Sequence, residues 1–249
     1  MNDLTSKTTV VVGASRGLGR RVATDLAEAG AHVVAVSRSA TDLGGPSEGA
    51  GAIERVIADA ADPTVPAGLF DRYEPEVVVV VAGAPVHMRP LQEQTWETFS
   101  VSWDTDVRIA FHWLREALLK PLRPGSKVIV FSSGAALNPN GSPLSGGYAG
   151  AKATQKFLAA YAQEEAERAG LDISFTALHP YFAPATGVGR AATQAYADRA
   201  GLDLEEFLRE RPVVTPEIAG AAVVELARAD ADDIALNYRL SDTGLEELG

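Results

Sequence analysis

Cysteine is missing from this 249-residue chain, which excludes disulfides, thiolate nucleophiles and cysteine-ligated metals together. No metal is expected. Positive charge is short as well: 22 Lys and Arg stand against 33 Asp and Glu, a formal net charge of −11. That balance repels a phosphate backbone, so no nucleic-acid partner is expected. No apolar run approaches the length of a membrane span, and the first seven residues hold no hydrophobic segment of the signal-peptide kind. No membrane partner and a cytoplasmic location follow as expectations. Repeats, linkers and composition breaks are lacking too. With 46% hydrophobic residues, the length suits one α/β domain with a substantial core.

What is present is organised around residues 8–19. Thr8 to Val12 is a β-branched, uncharged run, as expected of a strand buried on both faces. Gly13, Gly17 and Gly19 follow at G-x-x-x-G-x-G spacing, and an amphipathic run from Leu18 to Ala29 comes next. The glycines therefore sit where a strand hands over to a helix, the context of a dinucleotide-binding turn. Gly13 allows a tight turn, Gly17 lets backbone N–H groups approach a pyrophosphate, and Gly19 lets the helix pack closely on the strand. An ordinary glycine-rich turn is the alternative, but it leaves the entropic cost of three glycines unexplained.

Ala31 to Ser37 reads as the second strand, running into Arg38. An acidic residue at this end would bond an adenosine ribose and select NAD. Ser37 and Arg38 stand there instead, and Arg16 in the glycine loop can reach the same place. Two guanidiniums and a hydroxyl suit a 2′-phosphate, so NADP(H) is the expected cofactor, unless both arginines are merely solvated. Residues 40–51 form a polar, glycine-rich loop. A third strand over 53–58 ends at Asp59, which either accepts from the adenine amino group or caps the helix after Pro63.

Further strands are expected over 76–81, 126–131, 172–178 and 234–240, seven in all. Helices are expected over 103–120, 147–168 and 216–228, with helical spacing from Arg190 to Arg211. The fold class is thus a doubly wound, mostly parallel α/β sheet. Residues 182–212, placed after a strand's carboxyl end, read as a lid. Trp96, Trp103 and Trp113 read as packing, His87 as pocket mouth or surface. Phe182, His87 and Trp103 suggest a moderately apolar pocket.

Tyr148 and Lys152, four apart, stack on one helical face. Together with the glycine loop and Ser133 at the end of the fifth strand, Tyr148-x-x-x-Lys152 resembles the short-chain dehydrogenase/reductase family, from Thr8 to about Leu240. The resemblance implies hydride transfer between a nicotinamide and a carbonyl or secondary alcohol. It assigns Tyr148 as general acid/base, Ser133 as the group orienting the carbonyl oxygen, and Lys152 as holding the nicotinamide ribose. The residue types fit: a phenol ionises only near pH ~10, and an adjacent ammonium favours the phenolate. Ser132 is the alternative to Ser133. The long Ser133–Tyr148 interval leaves Ser142 and Ser145 open.

The resemblance also implies cofactor contacts at Gly13, Ser15, Arg16, Gly17, Leu18, Gly19, Ser37, Arg38, Asp59, Ala82, Gly83, Pro180 and Thr186, the last meeting the carboxamide. Departures stand out. Val80-Val81-Ala82-Gly83 replaces Asn-Asn-Ala-Gly, Pro180-Tyr181 replaces Pro-Gly, and Ser241 to Gly244 replaces Asp-Gly-Gly. Asp106 occupies the place of the helical asparagine that anchors a relay water. A homodimer or homotetramer through helices 103–120 and 147–168 is implied. A cofactor-binding sensor without turnover, or a dehydratase or epimerase on the same fold, are the rival readings.

Overall fold

The computed structural model describes residues 3–47 and 50–249. Positions 48 and 49 of the expected polar loop lie outside them. Five strands come early: β1 (Thr8–Val12), β2 (His32–Ser37), β3 (Ala52–Ile57), β4 (Val77–Val80) and β5 (Ser126–Phe131). They are joined by helices α1 (Gly17–Glu28), α2 (Thr64–Tyr73), α3 (Trp96–Ser102) and α4 (Arg108–Leu119). Then follow α5 (Gly146–Arg168), β6 (Ile173–Pro180), α6 (Gly187–Ala200), α7 (Leu204–Leu208), α8 (Pro216–Arg228), β7 (Asn237–Ser241) and β8 (Gly244–Glu247).

The sheet runs β3-β2-β1-β4-β5-β6-β7-β8, parallel throughout except for the antiparallel β7–β8 pair. Strand order reverses between β1 and β4, the switch point where open α/β sheets bind ligands beyond their carboxyl ends. Alternation along β1 divides the core: Val11 faces the layer of α1 and α8, with Val22, Leu26, Val223 and Leu226. Val10 and Val12 face the layer of α2, α4 and α5, with Phe70, Trp113 and Ala159. Both faces of the sheet are covered, which is why β4 can be four consecutive buried valines. No helix among the described residues is long and apolar enough to cross a membrane.

Several expectations are corrected. The sheet has eight strands, not seven: β8 is a short edge strand, Gly-Leu-Glu-Glu, folded back on β7 by backbone pairing. The strand expected from residue 234 begins at Asn237, because residues 231–233 form a turn of 3-10 helix. The helix expected from Trp103 starts at Trp96, where Thr95 and Thr98 form a capping box. It then passes through one turn of π-helix at Trp103–Val107 before continuing as α4. The face of α4 that packs is Ile109, Ala110, Trp113, Leu114 and Ala117, leaving Phe111 half exposed. Of the three tryptophans only Trp113 is core, donating from Nε1 to Ala60 O at 3.1 Å. Trp96 is 73% exposed and Trp103 39%. The helical stretch to Arg211 breaks into α6 and α7 at Gly201, whose φ of 70° ends the first helix. The ends of this insertion are pinned together, Val214 N donating to Phe182 O at 2.7 Å.

Candidate active site

The carboxyl ends of β1, β2, β4, β5 and β6 open into one cavity of about 880 Å3. Its glycine loop is fixed by close backbone approach. Gly13 sits at φ 95°, and a Cβ there would lie 2.6 Å from the backbone nitrogen of Ala82. A Cβ on Gly19 would lie 2.3 Å from the carbonyl oxygen of Gly13, so α1 can begin this close to β1 only with glycine in place. Gly13 N donates to Val36 O at 2.9 Å and Ala82 N to Val12 O at 2.9 Å, tying the loop to both neighbouring strands.

Every residue singled out from the sequence as catalytic or cofactor-binding lines this cavity, from Ser15, Arg16 and Leu18 through Ser37, Arg38 and Asp59 to Ala82, Gly83, Asp106, Ser133, Tyr148, Lys152, Pro180 and Thr186. His87 and Trp103 do not, although Met88 and Phe182 do; of the two readings of His87 the surface one holds, since it is exposed, and Trp103 lies against Gly150 outside the cavity lining. At the end of the cavity beside the carboxyl end of β2, Arg16 and Arg38 are exposed. Among the described residues neither has an acidic partner within salt-bridge distance. The Ser37 hydroxyl donates to Ser39 O at 2.8 Å. Asp59 accepts from Ala61 N at 3.0 Å and does not cap α2, whose N-cap is Pro63 with no side-chain cap; just before it Asp62 accepts from Thr64 N at 2.9 Å.

The two serines after β5 are assigned different work. Ser132 is buried and donates to Lys152 O at 2.8 Å, so it ties strand to helix. Ser133 faces the cavity, its hydroxyl accepting from Ala135 N at 3.2 Å. Tyr148 lies in the first turn of α5, half-buried, with no hydrogen-bond partner for its hydroxyl among the described residues. The Lys152 ammonium lies 5.6 Å from the centre of its ring.

Lys152 and Asp106 form an ion pair at 3.2 Å, with side chains only 6% and 1% exposed. Lys152 Nζ also donates to Phe131 O at 3.0 Å and Gln155 Oε1 at 2.8 Å. Asp106 Oδ1 accepts from Ala84 N at 2.7 Å. Oδ2 is close enough to the ammonium for charge attraction but accepts no hydrogen bond among the described residues. Gly83 is required beside this pair, because a Cβ there would lie 2.8 Å from Asp106 Oδ2. Gln155, fully buried, completes the arrangement by donating from Nε2 to Asp106 O at 2.9 Å. It is a residue the sequence reading missed, although it follows Tyr148 and Lys152 at helical spacing on one face. Behind Ser133, His179 is fully buried, and burial holds its imidazole below the ordinary value; its Nε2 lies 3.1 Å from Asn237 Oδ1.

The Thr186 hydroxyl is spent on capping α6, accepting from Gly189 N at 2.9 Å and donating to Ala183 O at 2.9 Å. What it offers the cavity in this arrangement is its methyl, 3.4 Å from a Cβ built on Gly17.

The model of the short chain dehydrogenase family matches residues 7–197. The chain belongs to that family. It is thereby one of the NAD(P)-dependent oxidoreductases. No curated protein matches the sequence. Among solved structures, a short chain dehydrogenase from Mycobacterium avium is 21% identical, covering 100% of this chain and 86% of its own, with a TM-score of 0.75. A candidate NAD(P)-dependent gluconate 5-dehydrogenase from Beutenbergia cavernae, carrying NADP at low occupancy, is 25% identical over 94% of each chain, with a TM-score of 0.77. A metagenomic short-chain oxidoreductase in complex with NADP is 19% identical, covering 95% of this chain and 97% of its own, with a TM-score of 0.68.

The cavity of this short-chain dehydrogenase suits a nicotinamide dinucleotide on its own terms. Its glycine loop is held by close backbone contacts that a Cβ would break, two guanidiniums without an acidic partner among the described residues stand at one end, and the Lys152 ammonium stands at the other.

Proposed function

We propose that the protein is an NADP(H)-dependent short-chain oxidoreductase acting on a ketone or the corresponding secondary alcohol. The observation that carries this reading is the gathering of Ser133, Tyr148 and Lys152 at one end of a cavity whose other end holds Arg16 and Arg38. The reduced nicotinamide, when bound, supplies the hydride. The Tyr148 hydroxyl donates its proton to the developing alkoxide, and the Ser133 hydroxyl donates to the same oxygen, both placed before reaction rather than recruited from water. Lys152, which lines the same end of the cavity, takes the role the family gives it of holding the nicotinamide ribose. Asp106 Oδ2, a buried acceptor with no hydrogen-bond donor among the described residues, supports a relay water on this side of the site. The NADP carried by two structural relatives agrees with the arginine pair. The insertion of α6 and α7 serves as lid.

The test is fluorescence titration with NADPH and with NADH, followed by a ketone screen read as loss of NADPH absorbance. Arg16→Ala combined with Arg38→Ala is expected to reduce the NADPH-over-NADH preference by about 10- to 100-fold, the worth of one or two charge-assisted bonds at an exposed site. An unchanged preference would refute the NADP assignment. Tight NADPH binding with no turnover on any ketone would favour the sensor reading.

The family resemblance further implies self-association through α4 and α5. Phe111 (47% exposed), Phe157 (66%) and Tyr161 (53%) leave that helix pair with large apolar side chains in water. Light scattering after size exclusion is expected to give a dimer or tetramer, and Phe157→Glu with Tyr161→Glu to shift it to monomer.

A further inference from the structure

On the side of the cavity closed by α6, three hydroxyls form a triangle. Ser142 Oγ lies 2.8 Å from Ser145 Oγ and 2.8 Å from the Tyr196 hydroxyl, and Ser145 Oγ lies 2.6 Å from the same phenol. All three residues line the cavity. Ser145 precedes Tyr148 by three residues, one turn along the start of α5. It stands at the N-cap of that helix yet makes no side-chain cap, its hydroxyl being turned to Tyr196 instead. The Tyr196 ring is set by Phe182, whose ring meets it edge-on at 6.2 Å.

The proton count gives the triangle its chemistry. Three hydroxyls own three protons, and a closed ring of O–H···O bonds uses each of them once. Every oxygen has then donated and accepted, and what remains to face a ligand is lone pairs. Such a surface recognises a donor. It gives nothing to a ketone or ether oxygen unless the ring is broken.

We infer that Ser142, Ser145 and Tyr196 form a hydroxyl-recognition subsite, and that the substrate is a ketone carrying at least one further hydroxyl group, or the alcohol derived from it. The inference rests on the reductase reading of the cavity. Its substance is specificity: a ligand hydroxyl donates into the triangle while its carbonyl lies between Ser133 and Tyr148, whereas a methyl in the same place buries an acceptor without a partner.

Matched ketones that differ by hydroxyl against methyl test this directly. Phenacyl alcohol is compared with propiophenone, and diacetone alcohol with methyl neopentyl ketone, each by kcat/KM with NADPH. The wild-type protein is expected to prefer the hydroxylated member of at least one pair by about ten-fold, the worth of one neutral hydrogen bond against a stranded acceptor. Tyr196→Phe and, separately, Ser142→Ala are expected to lower the hydroxylated member's kcat/KM by about ten-fold more than its partner's, bringing the ratio near unity. Equal losses on both members would mean that the triangle only clasps α6 to the loop before α5, and would overturn the inference. So would the absence of any preference in the wild type. Should none of the four be turned over, the reductase reading fails on that assay alone. The subsite is then judged by calorimetric binding of phenacyl alcohol against propiophenone to wild type and Tyr196→Phe, where equal affinities overturn it.

Discussion

Tyr148→Phe is expected to reduce the rate of ketone reduction by about a hundred- to ten-thousand-fold, the usual contribution of a positioned general acid. It should leave NADPH affinity and stability within the scatter of a surface substitution. The separation of the two effects follows from how little the hydroxyl does for the fold. The Tyr148 oxygen has no protein hydrogen-bond partner among the described residues, so removing it strands nothing. The ring contact with the Lys152 ammonium, 5.6 Å from ring centre, survives in phenylalanine. Melting temperature and NADPH titration measure the first half of the claim, stopped-flow loss of absorbance the second. A phenylalanine variant that turns over at the wild-type rate would remove Tyr148 from the chemistry. One that fails to bind NADPH would mean the phenol had been holding the site together.

The parts of the fold that periodicity governs were readable before any coordinates. Thr8–Val12, the valines of β4 and Ser126–Phe131 are covered on both faces, so each is built on a run of consecutive apolar residues, and they lie within a residue or two of where the pattern puts them. Elements fixed by partners rather than pattern escaped. β8 exists because the backbone of β7 offers an edge, and its Glu246 and Glu247 give no hydrophobic signal. The π turn at Trp103–Val107 is a tertiary effect: it carries Asp106 to Lys152, 46 positions away, a pairing no window along the sequence contains.

The candidate site divides the same way. Glycine spacing and the Tyr148–Lys152 interval are local, and both mark residues that line the cavity. The split between Ser132 and Ser133 is not local, since it depends on which hydroxyl reaches the backbone of α5. Tyr196 meets Ser142 across 54 positions, through an insertion whose polar, alanine-rich helix looks like ordinary surface.

Replacing Asp106 by leucine is expected to destabilise the protein by about 3–5 kcal/mol, far more than loss of any other ion pair described here. The contrast lies in burial. Each of the other pairs leaves at least one partner more than 30% exposed, where water screens it and the net worth is about 0–1 kcal/mol. Lys152 and Asp106 are 6% and 1% exposed. Removing the carboxylate leaves an ammonium inside the protein with two neutral acceptors, Phe131 O and Gln155 Oε1, and no counter-charge. It also deprives Ala84 N of the oxygen that receives its proton. In a domain of this size each kcal/mol moves the melting temperature by about 2–4 °C, so a fall of roughly 6–20 °C is expected. The control is the double substitution Asp106→Leu with Lys152→Met, which takes both charges away. Because the penalty of the single variant is chiefly an uncompensated charge, the double variant should regain several degrees while having no reductase activity. A double variant no more stable than Asp106→Leu would locate the loss in packing around Ala84 and Gly83 instead, and would leave the ion pair without a stabilising role.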